Sequence, residues 1–592
     1  MERQEVEVKY TWDLSKFYKS NEEWYADFEK VKTYVGKFIK FKGKLNDTKQ
    51  LISYLNLCKE YDLLVNRLYM YCSNSLNIEL SNKVFNEMTN QITTISTQID
   101  AEDSFSEPEL LSYSEEYLRG LADIPELKNY KVYFENLLRD KKHVLSEKEE
   151  KLLSGVCAFA GDSSDVFESL TNVDFKFDDI LDENGNSHEL TDANYPVHLK
   201  SPDRVLRKNA FETFFNKYKS FNNTIATNYI SNLKADNFFS TARNFNNTFE
   251  AALYSTNISK ELYAKLKEQV NKNIYLNEEY YKLRKKALGL DCLTYYDLNV
   301  SMCNDYDRKF TFDEAKEIVL EALKPLGEDY VNNVKLAFSE RWIDVYPTKD
   351  KRGGGYQSDM YGISPVILLN FVGTVNDVFT LAHELGHAMH SCKSHKAQPY
   401  ETADYTIFLA EIASTFNEVL LNKYFLDNAK TEQEKLYFLD KYFQLFNGTV
   451  FRQMQYSEFE EFAHSLVANN EPISKEILND YYFELNAKYS GGVVNDDLKK
   501  YHWSIVPHFY SSFYVYKYAT GLISAVSLAK KVLTGKSEEL ENYFKFLSAG
   551  GSDFSTNILK SAGVDLETNE PYELAFKELE TIVQQIKEIV NK

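Results

Sequence analysis

The chain has 592 residues, more than one hydrophobic core sustains, so two or more compact bodies are expected. Hydrophobic residues make up 43% and aromatic residues 15%, ample for large cores, while only 22 Gly and 11 Pro argue for long helices. A net charge of -21 opposes nucleic acid or an anionic membrane surface as the main partner.

Six cysteines, at positions 58, 72, 157, 292, 303 and 392, form no C-x-x-C pair and no tight framework. In so large a chain they read as reduced thiols in a cytoplasmic setting. The stretch Met1-Glu2-Arg3-Gln4-Glu5-Val6-Glu7 lacks the apolar core of a secretory signal. No apolar run reaches the roughly 18 residues that span a bilayer, so no membrane partner is expected. No feature sets an oligomeric state.

From residue 13 to about 155 the chain reads as successive amphipathic helices, among them Asn21 to Val35, Val84 to Phe105 and Glu147 to Phe159. Packing explains them, since no chemical constellation lies there. Phe175, Phe177 and Ile180 then precede Asp182-Glu183-Asn184-Gly185-Asn186, a hairpin turn signal, and a soft boundary falls nearby. Helices resume after Ser201-Pro202 and run through Leu288. Asn222-Asn223-Thr224 and Asn246-Asn247-Thr248 match the glycosylation pattern but, without a secretory signal, read as plain surface asparagines.

Between 341 and 371 the pattern changes again. Arg341 to Pro347 and Pro365 to Phe371 read as short strands, separated by Lys351-Arg352-Gly353-Gly354-Gly355-Tyr356. Val366 to Leu369 reads as buried, either as an ordinary core strand or as one that pairs with an extended peptide. It leads into Thr380-Leu381-Ala382-His383-Glu384-Leu385-Gly386-His387-Ala388-Met389-His390. Thr374 and Asp377 give the start signal of a helix there. On it His383 and His387 lie one turn apart on one face and can converge on a single cation. Glu384 is offset by about 100°, able to reach a water on that cation without ligating it. Two imidazoles beside a carboxylate suit catalytic zinc.

Such zinc requires a third protein ligand. Extension to H-E-x-x-H-x-x-G-x-x-H fails, because His390 and Lys393 occupy the Gly and last His positions. A following helix, Glu401 to Lys423, supplies the alternative, with Ile407, Ala410, Ala413 and Leu420 as core positions. Glu411 sits there among apolar residues, where an uncompensated charge is costly and a cation would neutralise it. Glu411 is the favoured ligand; Glu418, two turns on, is left as a supporting or surface residue.

H-E-L-G-H-A-x-H followed at this distance by E-I-A-S-T-F-N-E resembles the thimet-oligopeptidase family of zinc peptidases, in particular its oligoendopeptidase F branch. The similarity runs from about residue 195 to 580 and is more diffuse in the N-terminal helices. It implies a mainly α, large multi-helix, two-lobed peptidase with a deep channel and a small antiparallel β-sheet beside the zinc helix. It divides the chain into an N-terminal helical domain, 1–195, closed by the hairpin, and a zinc metallopeptidase domain, 196–592. The family's third ligand falls on Glu411, with one Zn2+ per chain. Transition-state donors fall by matching on His508, Tyr510 and Tyr514, within the aromatic run Tyr501 to Tyr518, with a slip to Tyr516 left open. Ser490-Gly491-Gly492 matches a loop that folds over substrate.

The reaction expected from these residues is hydrolysis of internal bonds in short unfolded oligopeptides. Zinc activates a water, Glu384 accepts its proton and later delivers it to the leaving amine. The helices ahead of the site are expected to wall a channel that admits peptides of about 5–20 residues, judged from strand rise, and excludes folded domains. Two other classes compete. A ferritin-like di-iron protein would use Glu384-x-x-His387 and Glu461-x-x-His464 but leaves His383 without a role. A non-catalytic peptide-binding protein would have no use for Glu384.

Overall fold

The computed structural model describes residues 1–303 and 308–592. Helices dominate both of the compact units into which the chain divides. The first unit comprises Met1–Lys142, Asp307–Tyr424 and Leu528–Val564; the second comprises His143–Tyr306, Phe425–Ser527 and Asp565–Lys592. Each is therefore discontinuous, and the division does not follow the expected boundary near residue 195. Among the described residues no helix is long and apolar enough to cross a membrane. Cys58, Cys72, Cys292, Cys303 and Cys392 are free thiols, whereas the side chain of Cys157 lies outside the description.

Helix starts in the first unit follow the sequence closely. Asp47 caps Thr48–Asn77 by accepting from the Lys49 and Gln50 amides at 2.9 and 3.1 Å. Asn82 caps the adjoining helix Lys83–Asp103 in the same way. These caps satisfy amides that have no partner inside their own helix. The expected helices over 21–35, 84–105 and 147–159 are found at Asn21–Lys32, Lys83–Asp103 and Glu147–Ala160.

Five short strands occur among the described residues. In the second unit β1 (Ile180–Leu181) and β2 (Ser187–His188) form the expected antiparallel hairpin. Asp182 Oδ1 accepts from the Asn186 amide at 2.8 Å, and Gly185 supplies the positive φ of 82° that the turn requires. In the first unit β3 (Ile343–Asp344), β4 (Tyr356–Met360) and β5 (Ile363–Leu368) form one sheet in the order β3-β5-β4. β4 and β5 are antiparallel, as expected of this sheet, but β3 and β5 are parallel, so the sheet is mixed. The strand expected at 341–347 shrinks to two residues. β4 was not expected at all, because Tyr-Gln-Ser-Asp-Met carries no alternating apolar face and owes its extension to pairing with β5. β5, central, has partners on both sides, so the sheet's edges belong to β3 and β4 and not to the strand expected to pair with a peptide.

The sheet is pinned to the chain's start by one buried carboxylate. Asp344 on β3 receives the Arg3 guanidinium, with one contact at 2.7 Å, and the Lys351 ammonium at 2.8 Å. Asp344 and Lys351 side chains are both fully buried.

In the second unit Glu570–Val590 packs along Glu432–Phe446 and Tyr275–Ala287. Asp297 is fully buried between Arg204 and Arg207, each at 2.9 Å. Asn222 corrects the sequence reading: it is buried rather than on the surface, and its Oδ1 accepts from Asn479 at 2.9 Å. Asp344→Asn should lower stability by about 3–5 kcal/mol, because it strands a buried ammonium without its counter-charge. A fall in Tm by calorimetry, partly recovered on adding Lys351→Met, is the expected result.

Candidate metal centre

The helix Val375–Ala397 carries the histidines and begins where expected. Thr374 Oγ1 accepts from the Asp377 amide at 3.3 Å, and Asp377 Oδ2 accepts from the Thr374 amide at 2.7 Å. Val378, Leu381, Ala382 and Leu385 are fully buried. Burial of each larger side chain contributes roughly 1.5–3 kcal/mol, so packing rather than propensity holds this helix.

The following helix spans Ile407–Asn428 and not 401–423. Glu401 is diverted into a 3-10 turn, where Lys59 contacts its carboxylate at 2.9 Å. Ile407, an expected core position, is 53% exposed; Ala413 and Leu420 are buried as expected.

Contact between these two helices is set by Gly386, the glycine of H-E-L-G-H. A Cβ there would stand 2.6 Å from both the Ala413 carbonyl oxygen and Ser414 Cα. Only hydrogen fits. At the same crossing Asn417 Nδ2 donates to the Ala382 carbonyl at 3.0 Å, inside the core. Tyr330 in turn donates to Asn417 Oδ1 at 3.3 Å.

This approach brings three donors together. His383 Nε2 and His387 Nε2 are 3.2 Å apart, and Glu411 Oε2 is 3.4 and 3.8 Å from them. Among the described residues this is the one group of three potential metal ligands, all within 4.8 Å. Ligands 2.0–2.1 Å from a tetrahedral ion stand about 3.3 Å from each other, so the spacing fits a zinc-sized cation. Supporting contacts hold the donors in place. Glu418 Oε1 lies 2.6 Å from His383 Nδ1, which leaves the Nε2 lone pair facing the other two donors. Ser414 Oγ donates to Glu411 Oε2 at 3.2 Å.

The electrostatics are those of a site built for positive charge. Burial opposes protonation of His383, but Glu418, Glu384 and Glu411 outweigh it and raise the imidazole to about 9. Burial and the His383 charge push His387 down to about 4. Glu384 is buried, 6% exposed, and burial raises it to about 7; the charge of His383 and the Gln357 amide on β4 act against that rise. Three carboxylates surround two imidazoles here, and a proton on His383 answers them only in part.

The aromatic segment belongs to the second unit and splits into two directions. His508 and Tyr514 stack with ring centroids 6.1 Å apart, and Tyr518 meets both, at 6.1 and 5.5 Å. Tyr510 turns elsewhere: its ring packs on Phe167 at 5.0 Å and its hydroxyl accepts from Asn228 at 3.1 Å. Tyr516 is fully buried against Tyr263, which leaves it no open face. Phe513, just ahead of Tyr514, has φ of 54°, and the buried Glu460 holds it there by accepting its amide at 2.9 Å. Ser490-Gly491-Gly492 lies against Glu278 of the same unit.

The sequence profile described as Peptidase family M3 matches residues 197–578, and that described as Oligopeptidase F matches residues 109–177. The chain belongs to peptidase family M3. It is 38% identical to Oligopeptidase PepF of Bacillus subtilis over 100% of this chain and 89% of that protein. Group B oligopeptidase PepB of Streptococcus agalactiae is 35% identical over 100% of this chain and 98% of that protein. Oligoendopeptidase-F from Enterococcus faecium superposes with a TM-score of 0.74 at 32% identity, covering 96% of this chain and 99% of that one. PZ peptidase A shares the fold, with a TM-score of 0.65 at 18% identity and 97% coverage of both chains. This M3 peptidase is a metalloendopeptidase of the oligoendopeptidase F type, and its substrates are peptides.

The competing classes fall away. Glu461 pairs with Lys267 at 2.7 Å, and His464 is buried beside Phe513 with neither ring nitrogen hydrogen-bonded, so that pair builds no second half of a di-iron centre. Membership of a peptidase family replaces the reading as a passive peptide-binding protein. Sequence reasoning missed the supporting roles of Gly386, Ser414 and Asn417 and left that of Glu418 open. Their spacing held the signal: Ser414 and Glu418 lie one and two turns beyond Glu411, and Asn417 stands next to Glu418. Glu418→Gln in this M3 peptidase should weaken metal affinity about 10–100-fold, as loss of an orienting partner does, while Glu411→Gln should weaken it far more. Competition with a chelator measures both, and equal losses would make Glu418 a ligand.

Proposed function

We propose that this M3 peptidase is a zinc-dependent endopeptidase that cuts internal bonds of short, unfolded oligopeptides, with one Zn2+ per chain held by His383, His387 and Glu411. The convergence of two Nε2 atoms and Glu411 Oε2 at 3.2–3.8 Å is the observation that supports it most. A zinc ion there would supply Lewis acidity, acidifying a water and polarising the scissile carbonyl. The remaining chemistry belongs to the chain's own side chains.

Glu384 is the general base. Its carboxylate is buried beside His383 and Glu411 yet makes no ligand contact in the group of three. Burial raises its proton affinity in the metal-free site, and from this position its carboxylate can take a proton and return it to the leaving amine. With a metal bound, Glu418 would keep the remaining His383 proton on Nδ1 and leave Nε2 to the ion, and Ser414 holds Glu411 in position. His508 and Tyr514, which stack on each other, are the proposed donors to the oxyanion; Tyr510, bonded to Asn228, is the less favoured member of the expected set.

Two substitutions test the assignment. Glu384→Gln should abolish cleavage of a quenched peptide while metal analysis still finds one zinc per chain, because the amide cannot accept a proton and the ligands are untouched. Normal turnover by that variant would remove Glu384 as base. Tyr514→Phe should lower kcat by about 10²–10³ with little change in KM, since the oxyanion exists only in the transition state. A loss below about tenfold would pass the role to Tyr518 or Tyr510.

A further inference from the structure

The second unit contains a cavity of about 420 Å³ walled by its own residues alone. That volume is typical of small-molecule sites. Three cationic residues line it, Lys200, Arg452 and Lys499, and among the described residues none has a carboxylate partner. Lys499, on the 3-10 helix Asp497–Ile505, is only 7% exposed. Among the described residues its ammonium makes no hydrogen bond or ion pair; it stands over the rings of Tyr295 and Phe215, at 4.8 and 5.0 Å. Arg452 lines the same cavity, is exposed, and likewise makes no ion pair among the described residues. Asp192 and Lys200 also line it, both exposed, and Asp192 pairs with neither cation.

Two rings attract an ammonium but do not replace the water it surrenders on burial. Burial and the charge of Arg452 both push the Lys499 amine well below its ordinary range, with Asp496 acting weakly against them. Beside a second cation the buried amine is held toward its neutral form, and an entering anion would restore and stabilise its charge. The cavity wall also holds an unsatisfied acceptor: Asn277 Nδ2 donates to the Tyr489 carbonyl at 3.0 Å, while its Oδ1 has no donor. Flat aromatic walls, two cationic heads and one free acceptor together describe a particular kind of guest.

We propose that this cavity binds a small organic oxyanion, a carboxylate or phosphate monoester on a planar or apolar body, with Lys499 and Arg452 as its charged contacts. A peptide C-terminus and a nucleotide share that chemistry, and the experiment separates them. The full-length, metal-loaded protein is titrated by calorimetry with N-acetyl-phenylalanine, its amide, adenosine monophosphate, adenosine and inorganic phosphate, and Tm is followed in parallel. One charged probe should bind saturably and raise Tm, and its uncharged counterpart should not.

Lys499→Met should weaken that binding about tenfold or more, the value of a lost charge-assisted contact. The same change should raise the Tm of the ligand-free protein by removing the unpaired amine. Arg452→Gln, at an exposed side chain, should weaken binding comparably and carries the test if the buried variant does not fold. His383→Ala should leave the affinity intact, which separates this site from the proposed zinc centre. Equal binding of charged and uncharged probes, binding that survives both substitutions, or a response to inorganic phosphate alone, an adventitious ion only, would each overturn the proposal.

Discussion

The candidate metal centre rests on the distance between two helices. Gly386 allows the backbone of Ala413 and Ser414 to lie where any side chain would stand, and Asn417 bonds across the gap to the Ala382 carbonyl. Glu411 reaches the two imidazoles because of that contact. A methyl group at Gly386 would have to push backbone rather than a flexible side chain, and backbone inside a packed core yields little. The three donors are thus positioned by steric exclusion before any attraction between them acts.

Charge follows from that geometry. The crossing gathers Glu384, Glu411 and Glu418 around His383 and His387 on largely apolar helices. In a chain that already carries a net charge of -21, such a cluster is costly without a cation. The same repulsion that opposes the empty arrangement favours a filled one, so stability given up by the apoprotein reappears as metal affinity.

Much of this could be read in the sequence, and for a definite reason. H-E-x-x-H states its geometry through helical spacing, and Thr374 with Asp377 states where the helix begins. Glu411 was legible because a carboxylate among apolar neighbours requires an explanation. Ser414, one turn beyond Glu411 on the same helix, left a spacing signal that composition alone does not single out, whereas Gly386 and Asn417 were not legible, since each acts on an atom of the other helix. β4 was hidden for the same reason: its polar residues become a strand only when β5 is alongside. The aromatic run showed the composition of a donor site, but the divergence of Tyr510 from Tyr514 depends on Phe513 and Glu460, and no periodicity encodes it.

The bond between Arg3 and Asp344 joins residues 341 positions apart, and the first unit is completed only by Leu528–Val564. On a ribosome, the opening segment therefore emerges long before its partners exist. Chains add about 5–20 residues per second, so the earliest helices wait on the order of tens of seconds with part of their apolar surface uncovered. Their own pairing, Thr48–Asn77 against Lys83–Asp103, covers some of it in the interval. The two helices that carry His383, His387 and Glu411 are likewise made well before the last segment of their unit. Capture of metal by the nascent chain would have to precede final closure or wait for release, a choice of timing set by chain topology rather than by the chemistry of the centre.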